Sequence, residues 1–456
     1  MSDTFPPNFQ WGVATAAYQI EGAAQLYGRG PSVWDIFSAL PGHILNGDTG
    51  EVACDHYHRF AADIQLIADL GVKHYRFSLA WPRIMPAGRG TVNPAGLDFY
   101  QRLVDCLLAH GITPHATLFH WDSPQALETR YGSWQSREMA QDFADYVTVV
   151  VKALGDRITH WMTLNEIFCF THMGYGVNQT PPHAPGTSVE SAKAVWQTSH
   201  HALLAHGLGC QAIRAASPDP CTIALVDNFL VPLPLAETPA HIAAAKAAFH
   251  TVGTNGGIIF PALTGQYSPA LLQQLGDQAP DIQPGDLETI HQPLDALGFN
   301  VYSGVYVRAA ATPLGYEVLP FPKGYPRLHM PWLHLAPESL YWGIRHVSET
   351  LQRPELPVFI SENGCAAQDE VTPQGEVLDL DRIHYLRQYL QAAHRAVSEG
   401  YPLTGYFLWS LMDNFEWAYG YDRRFGITYV DYATQQRLPK ASFNWYKTCV
   451  ATNQIV

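Results

Sequence analysis

Short runs of apolar residues alternate along the chain with longer segments in which apolar positions recur every three or four residues. The first pattern predicts strands and the second predicts amphipathic helices. The predicted strands cover residues 9–15, 72–79, 112–119, 160–164, 221–226, 297–299, 357–360 and 404–409. The predicted helices cover residues 55–70, 96–109, 136–153, 192–215, 240–250, 338–351 and 380–398. The Gly-, Pro- and Asp-rich stretch 28–50 predicts a long surface loop.

Strands and helices alternate without a linker, a break in composition or a sequence repeat. Such alternation is typical of a parallel sheet with helices outside it. About eight predicted strands favour a closed (β/α)8 barrel over an open doubly wound sheet. No Gly-x-Gly-x-x-Gly turn opens the chain, which argues against a dinucleotide-binding fold. We therefore expect residues 1–456 to form one α/β domain, a TIM barrel with extended loops after its strands.

Polar side chains recur where the predicted strands end, which is the edge at which such barrels place their active sites. They are Arg76, His120, Asn165, Glu166, Asn228, Asn300, Tyr302, Glu362 and Trp409. Two of them are glutamates that end strand-like runs far apart in the sequence. Either glutamate alone is also consistent with a turn carboxylate that caps the next helix. Together they predict two carboxylates that face each other across one pocket.

Two facing glutamates suit glycoside hydrolysis, in which one carboxyl protonates the leaving oxygen and the other acts as base or nucleophile. We expect Glu362 to be ionised, with Arg76 and Tyr302 as partners that stabilise its charge. Glu166 would be protonated, because its sequence neighbours are apolar and an anionic Glu362 raises its pKa. Asn165 could donate a hydrogen bond to the 2-hydroxyl of the sugar.

Composition and charge narrow the possible partners. Hydrophobic residues make up 47% and charged residues 15%, so a large core is available and disorder is disfavoured. The formal net charge of −14, without a basic run, argues against nucleic acid as a partner. The 12 Trp and 23 Tyr include flat faces that suit sugar rings, although we expect most of them in the core.

No targeting or membrane segment is evident. Residues 1–7 have neither the basic nor the apolar part of a signal peptide, and no apolar stretch could span a bilayer. The seven cysteines are scattered, which predicts reduced thiols. We expect a cytoplasmic protein that does not bind membranes. The glycosylation sequon at residues 178–180 is expected to be a chance match.

Several polar residues have both a structural and a functional interpretation. His56 and His58 have metal-like spacing without a third ligand, so structural roles are expected and no metal site is predicted. The pair His200 and His201 lies in a helix pattern and is expected to pack. Glu416, between aromatic residues after the last strand, could accept hydrogen bonds from two sugar hydroxyls or be an ordinary loop residue.

Six motifs in this order resemble glycoside hydrolase family 1, and the resemblance extends from Phe5 to Tyr446. Each motif alone is weak, but their joint occurrence is specific. They are Gln19-Ile20-Glu21-Gly22, His120-Trp121-Asp122, Thr163-Leu164-Asn165-Glu166, Asn300-Val301-Tyr302, Ser361-Glu362-Asn363-Gly364 and Asn414-Phe415-Glu416-Trp417.

The resemblance implies a single (β/α)8 barrel that hydrolyses glycosides with retention of configuration and uses no cofactor. It implies that Glu166, after strand four, is the acid/base and that Glu362, on strand seven, is the nucleophile. It implies supporting roles for Arg76 and Tyr302. The residues implied to bind the sugar are Gln19, His120, Trp121, Asn165, Asn300, Trp409, Glu416 and Trp417, with Phe425 nearby, while Asn228 and Trp332 would face the leaving group.

The resemblance also separates branches of the family. Phospho-glycosidases of the family carry Ser and Lys in the last loop, whereas this chain has Glu416, which would repel a 6-phosphate. Myrosinases replace the acid/base with Gln, which Glu166 argues against. The family usually has Pro and Trp after the acid/base; here Ile167 and Phe168 stand there, and this difference bears on leaving-group preference. Ser361 replaces the usual Thr before the nucleophile.

We therefore expect a β-glucosidase with some β-galactosidase and β-fucosidase activity that acts on small β-glucosides and cello-oligosaccharides. Two alternatives stay open. One is an enzyme that mainly transfers glycosyl groups with the same residues. The other is a catalytically silent carbohydrate-binding relative, which the presence of both glutamates argues against. Oligomeric state is not indicated by the sequence.

Overall fold

The strands predicted by the apolar runs close into a parallel barrel. A computed structural model describes residues 4–177, 179, 181–351 and 353–456. The barrel strands are β1 (Gln10–Ala14), β2 (His74–Ser78), β3 (Thr113–Thr117), β4 (His160–Asn165), β5 (Thr222–Asp227), β6 (Ala296–Asn300), β7 (Val358–Asn363) and β8 (Leu403–Trp409). Each pairs in parallel with its sequence neighbour, and β1 pairs with β8, from Gln10 opposite Gly405 to Ala14 opposite Trp409. The prediction of a (β/α)8 barrel is confirmed.

The longer helices lie in the segments that connect these strands and follow β8. They are His56–Leu70, Pro94–Ala109, Glu138–Leu154, Ala192–Ala216, Pro239–Ala248, Asn255–Thr264, Glu338–Thr350, Leu380–Ser398 and Ala441–Thr452. The helix Glu138–Leu154 shows why they pack on the barrel. Its buried positions include Met139, Phe143, Tyr146, Val147, Val150, Val151 and Leu154, an apolar stripe along one helix face. A helix with such a stripe gains stability by covering the apolar outer surface of the strands.

Helix boundaries follow the local sequence. The first long helix ends at Gly71, whose φ of 87° is the left-handed conformation that glycine adopts without strain. Pro239 occupies the first position of its helix, where its missing N–H costs no hydrogen bond, and the Thr238 side chain accepts from the His241 backbone N–H. The predicted end of the first long helix at residue 70 and the predicted start of the later helix near residue 240 are confirmed.

The stretch 28–50 is not the plain loop that its composition predicted. A short helix, Val33–Ser38, lies within it. Ser32 and Asp35 form a reciprocal capping box at its start, in which the Asp35 carboxylate accepts from the Ser32 backbone N–H at 2.6 Å. The capping residues were visible in the sequence, but the glycines and prolines around them obscured the signal.

Loop elements add to the barrel at the end that carries the polar residues. Three strands, Pro232–Pro234, Val305–Ala309 and Tyr316–Val318, form a small sheet, and Thr428–Asp431 pairs with Gln436–Pro439. Shorter helices lie at Ala17–Ile20, Val33–Ser38, Trp81–Ile84, Gln125–Tyr131, Pro269–Leu275 and Asp286–Ile290. Asn178 and Thr180 of the predicted sequon lie outside the described residues. Within the described residues, no helix has the length and apolar character needed to cross a bilayer.

Candidate active site

A cavity of about 610 Å³ opens at the carboxyl ends of the barrel strands. Most of the residues predicted for the site line it: His120, Trp121, Glu166, Asn228, Asn300, Tyr302, Trp332, Glu362, Trp409, Glu416, Trp417 and Phe425. Those on or just after barrel strands meet here because the carboxyl ends of the strands face this cavity, whereas Trp332 and Phe425 reach it from longer loops. The fold therefore brings these predicted residues together in one cavity.

Three predicted residues, Gln19, Arg76 and Asn165, lie behind the cavity wall. All three side chains are buried. Each one hydrogen-bonds a residue of the wall or another member of this inner layer. Whether Gln19 and Asn165 also contact a substrate stays a prediction.

Glu362 lies in an environment that stabilises a carboxylate. Arg76 Nη1 donates to Glu362 Oε1 at 2.6 Å, and the Tyr302 hydroxyl donates to Oε2 at 2.8 Å. Arg76 is only 1% exposed, so this ion pair is almost fully removed from water. Burial raises the pKa of Glu362, and the hydrogen bonds from Arg76 and Tyr302 oppose that rise. Glu362 is thus the carboxyl of the pair with a direct cationic partner.

Glu166 lies in an environment that favours the neutral acid. Its carboxyl oxygens contact Asn300 Nδ2 at 2.7 Å and Cys169 Sγ at 3.1 Å, and neither partner carries a positive charge. Burial and, second, the neighbouring Glu362 raise the pKa of Glu166 to about 8. The Glu166 backbone has φ of 52°, a left-handed conformation that is rare for a residue with a side chain. Strained backbone of this kind persists where the surroundings hold it, often at functional sites.

A continuous chain of hydrogen bonds joins the two glutamates. Arg76 Nη2 donates to Asn165 Oδ1 at 2.7 Å, and Asn300 Nδ2 donates to the same oxygen at 3.0 Å. Asn300 Nδ2 also donates to Glu166, while Arg76 holds Glu362. Because every member is buried and bonded, the two carboxyls are held in a fixed relation by side chains from β2, β4, β6 and β7.

Glu416 is a third carboxyl that lines the cavity. Gln19 Nε2 donates to Asn414 Oδ1 and to the Phe415 carbonyl, both at 2.9 Å, and reaches Glu416 Oε2 at 3.3 Å. These bonds fix the loop after β8 against the first strand-end segment. Burial, followed by the charges of Glu362 and Glu166, raises the pKa of Glu416 to about 8.

Aromatic rings surround this third carboxyl. The ring centroids of Trp121 and Trp417 lie 4.6 Å apart, and the His120 ring is nearly parallel to both Trp409 and Trp417. His183 packs edge-on against Trp121 at 4.8 Å. Flat apolar faces beside polar edges are what a pyranose ring, with its apolar faces and equatorial hydroxyls, would contact.

Several buried polar atoms here have no hydrogen-bond partner among the described residues: Gln19 Oε1, His120 Nδ1 and Asn228 Oδ1. Buried polar atoms are normally paired, so unpaired ones around a cavity indicate a polar ligand. Burial, followed by Arg76, lowers the pKa of His120 well below its usual range, so His120 is neutral. Its Nε2 faces Asn165 Nδ2 at 3.3 Å, and as the acceptor of that bond it leaves the Nδ1–H as a free donor.

The remaining walls of the cavity were not predicted from the sequence. They include Phe168, Cys169, Met173, Phe229, Leu230, Phe321, Met330 and His334. Trp332, which was predicted, lies at this side and is 39% exposed, with its ring edge-on to Tyr302. The sequence signals on this side were Phe168, which departs from the family pattern after the acid/base, and the spacing of Cys169, which follows Glu166 by three positions. The other side chains come from loops with no regular pattern.

The histidines that suggested metal spacing are engaged in ion-pair geometry instead. His56 Nδ1 lies 2.8 Å from Asp63, and His58 Nδ1 lies 2.6 Å from Asp55. In the part of the chain that the structure describes, no group of three or more His, Cys, Asp and Glu side chains has a metal-binding arrangement. His200 is buried against Asp286.

Comparison with known proteins agrees with this geometry. A model of Glycosyl hydrolase family 1 matches residues 1–455. The chain is 42% identical over 451 residues to Beta-glucosidase A of Thermotoga maritima, with 98% of each chain covered. It is also 42% identical to a Bifunctional beta-D-glucosidase/beta-D-fucosidase of Bifidobacterium breve, with 99% of each chain covered.

Solved structures give the same result. The fold matches the beta-glucosidase from Thermotoga maritima in complex with deoxynojirimycin with a TM-score of 0.89 and 41% identity, and each chain is covered completely. Full-length matches at this identity, together with a parallel barrel that carries two glutamates at the ends of strands four and seven, assign the family. The chain belongs to glycosyl hydrolase family 1.

Proposed function

We propose that this enzyme is a retaining β-glucosidase that releases terminal, non-reducing β-D-glucosyl residues, with weaker activity on β-galactosides and β-fucosides. The observation that carries the proposal is the unequal environment of two glutamates in one cavity. Glu362 has an arginine partner and Glu166 has none. Such a pair can divide the roles of nucleophile and acid, as a double displacement requires.

In the first step, the Glu362 carboxylate attacks the anomeric carbon and the bond to the leaving oxygen breaks. Glu166 transfers its proton to that oxygen, so the leaving group departs as a neutral alcohol. The glycosyl group is then an ester of Glu362. Loss of the Glu362 charge removes one of the causes that raise the pKa of Glu166, so that pKa falls and Glu166 becomes the carboxylate that the next step needs.

In the second step, Glu166 removes a proton from water while the water oxygen attacks the anomeric carbon. The ester bond breaks, and its electron pair returns to Glu362 beside Arg76. Two displacements at the same carbon give net retention of configuration. Tyr302 and Arg76 assist because they stabilise the carboxylate as it leaves.

For substrate binding, we propose that Glu416 and Gln19 recognise sugar hydroxyls, with His120 and the aromatic wall completing the subsite. A buried carboxyl at this position accepts hydrogen bonds from sugar hydroxyls, and it offers a phosphate neither a positive charge nor an N–H donor. Asn228 and Trp332 would face the leaving group. Substrates of this class include small β-glucosides and cello-oligosaccharides, so a role in the later stages of cellulose breakdown is part of the proposal.

We further propose that residues 1–456 act as one catalytic domain, because β1 at one end of the chain pairs with β8 near the other. All seven cysteines are free, and five of them are buried. This usage suits a reducing compartment, so we propose that the enzyme acts in the cytoplasm.

The test is hydrolysis of a panel of aryl β-glycosides: glucoside, galactoside, fucoside and 6-phosphoglucoside. Wild-type enzyme should prefer the unphosphorylated glucoside, with or without a chelator, and its first product should be the β-anomer. Glu362→Ala should lose turnover, and Glu166→Ala should lose roughly 10²–10⁴-fold on substrates with poor leaving groups. Glu376→Ala, at an exposed glutamate, is the matched control.

Other outcomes would refute parts of the proposal or favour an alternative function. Normal turnover by Glu362→Ala, or an inverted first product, would refute the two-glutamate mechanism. Preference for the 6-phosphate would refute the role given to Glu416. Glycosyl transfer that exceeds hydrolysis at moderate acceptor concentration would favour a transglycosylating enzyme, and binding without turnover would favour a silent carbohydrate-binding protein.

A further inference from the structure

Cys169 is a cavity residue that the mechanism above does not use. It follows Glu166 by three positions and begins the π-helical turn Cys169–Met173. Its side chain is buried and borders the cavity. The left-handed backbone at Glu166 starts the turn that brings residue 169 back beside the Glu166 carboxyl. Placement of a thiol next to this carboxyl therefore follows from the local backbone.

The thiol lies between two residues of the site. Cys169 Sγ is 3.1 Å from Glu166 Oε2, and Asn228 Nδ2 donates to Sγ at 3.4 Å. Both contacts are within the range for hydrogen bonds that involve sulfur. Since the Asn228 amide uses the acceptor side of the sulfur, the S–H is left to point at Glu166. The result is a directed series of bonds from Asn228 through Cys169 to Glu166.

We propose that Cys169 is a positioning residue for the acid/base Glu166, and that Asn228 orients Cys169 for this role. The inference rests on the proposed function, since it assumes that Glu166 supplies and recovers the proton. Asn300 fixes one oxygen of the Glu166 carboxyl, and Cys169 fixes the other. With both oxygens held, the carboxyl plane is set relative to the leaving oxygen.

The chemistry of a thiol suits this position. A thiol is a weak donor, and its S–H can donate both to the Glu166 carboxylate and to the carbonyl oxygen of the Glu166 acid, which leaves the acid proton for the leaving oxygen. It therefore orients Glu166 in both protonation states without strongly favouring either. A hydroxyl is a stronger donor and would favour the carboxylate, whereas a methyl group would give no hydrogen bond at all. Burial and the nearby Glu166 raise the pKa of the Cys169 thiol well above its usual range, so the thiol keeps its proton.

If Cys169 acts through the acid Glu166, its loss should slow hydrolysis more when the leaving group depends more on protonation. A nitrophenolate departs readily without a proton, whereas an alkoxide does not. Loss of Cys169 should therefore slow hydrolysis of alkyl glucosides more than hydrolysis of activated aryl glucosides. A merely structural role would lower both rates by the same factor.

The test compares Cys169→Ala and Cys169→Ser with wild type on 2,4-dinitrophenyl, phenyl and methyl β-D-glucosides. We expect Cys169→Ala to lose about tenfold in kcat/KM on the methyl glucoside and less than about twofold on the dinitrophenyl glucoside. The basic limb of its kcat/KM profile, which reports Glu166 in the free enzyme, should move up by roughly half a pH unit because a donor to the carboxylate is gone. Cys169→Ser should move the limb down.

Controls separate this inference from simple damage to the fold. Cys449→Ala removes another buried thiol, on the C-terminal helix outside the cavity, and should change neither the profile nor the leaving-group dependence. Cys169→Ala and Asn228→Ala should be non-additive in their effect on the basic limb, because both interrupt one series of bonds. Thermal unfolding of each variant checks that it is folded.

The outcomes are distinct. Equal losses on all three substrates together with an unmoved basic limb in both Cys169 variants would overturn the inference while leaving the proposed function intact. If Cys169→Ala does not fold, the downward movement of the basic limb in Cys169→Ser decides the matter. Inactive wild-type enzyme would instead refute the proposed function itself.

Discussion

Replacing Arg76 by methionine should disable the nucleophile rather than unfold the barrel. Methionine is similar in length to arginine and apolar, but it cannot pair with Glu362. The Arg76–Glu362 contact of 2.6 Å is buried, with side-chain exposures of 1% and 5%. Removing one partner of a buried ion pair costs about 3–5 kcal/mol, because the other charge is left uncompensated. At about 1.4 kcal/mol per pH unit, even the lower figure corresponds to a rise of about two units in the pKa of Glu362.

The sign of the effect on catalysis follows from this rise. The acid limb of kcat/KM reports the ionisation that creates the nucleophile, so it should move to higher pH by about two units. The basic limb should stay near its wild-type position, because Glu362 is ionised in that pH range in both enzymes and still raises the pKa of Glu166. The profile should therefore narrow from the acid side, and the maximum rate should fall on the order of a hundredfold.

The assay is the initial rate with an aryl β-D-glucoside across the pH range in which the variant is folded, monitored by circular dichroism. Arg76→Lys is the matched control. It keeps a positive charge, so its acid limb should move much less, although it loses the second arm that donates to Asn165. An acid limb that stays at its wild-type position in Arg76→Met would refute the view that Arg76 keeps Glu362 ionised.

Three further predictions follow from the structure. Glu416→Gln should lower kcat/KM on the glucoside about 10–100-fold by replacing a carboxyl oxygen that sugar hydroxyls contact, and its relative activity on a 6-phosphoglucoside should rise because the new amide can donate to a phosphate; unchanged selectivity would contradict the role of Glu416. Burial and nearby histidines hold the pKa of His115 well below its usual value of 6.5. Below about pH 6.5 the unfolded chain therefore binds a proton at His115 that the folded protein does not bind. The free energy of unfolding, measured with urea, should decrease as the pH is lowered, by up to about 1.4 kcal/mol per pH unit for this group, and less steeply in His115→Leu. Gly364→Ala would place a Cβ 1.7 Å from the Trp409 carbonyl oxygen, so we expect a loss of more than about 2 kcal/mol in unfolding free energy, with Gly324→Ala as an exposed-site comparison.

The barrel was predictable because its signals are local and repeated. Each barrel strand shows as an apolar run, and each long helix shows a stripe of period near 3.6. The helix Leu380–Ser398 was predicted with its observed ends, and other predicted helices differ by a few residues. Elements with few residues were missed, such as Tyr316–Val318, since three residues cannot establish a period. The helix Ala441–Thr452 was also missed, although its length would have allowed a prediction.

The two sides of the cavity differ in how well the sequence predicted them. The glutamates and their partners lie on or beside barrel strands, so position in the strand pattern was enough to place Arg76 beside Glu362. The leaving-group side is built from loops whose paths depend on contacts between distant segments. Phe321 and Met330 reach the cavity by such paths, and no periodicity marks them. The left-handed backbone at Glu166, which brings Cys169 to the site, also has no sequence signal, because glutamate does not favour that conformation.

The distribution of charge in the cavity explains how this barrel gives its buried glutamates different protonation states. Three buried glutamates share the cavity, and among the described residues only Arg76 offers any of them a cationic hydrogen-bond partner. Repulsion and burial would leave all three neutral if their surroundings were alike. The barrel makes them unequal, because Arg76 on β2 contacts Glu362 on β7 but hydrogen-bonds neither Glu166 nor Glu416. Glu362 therefore carries the charge, while burial and that charge raise the pKa values of Glu166 and Glu416 to about 8. Relocation of this one cation would reassign the roles of these carboxyls, and this is why Arg76→Met should move the acid limb of the pH profile, which reports the ionisation of Glu362.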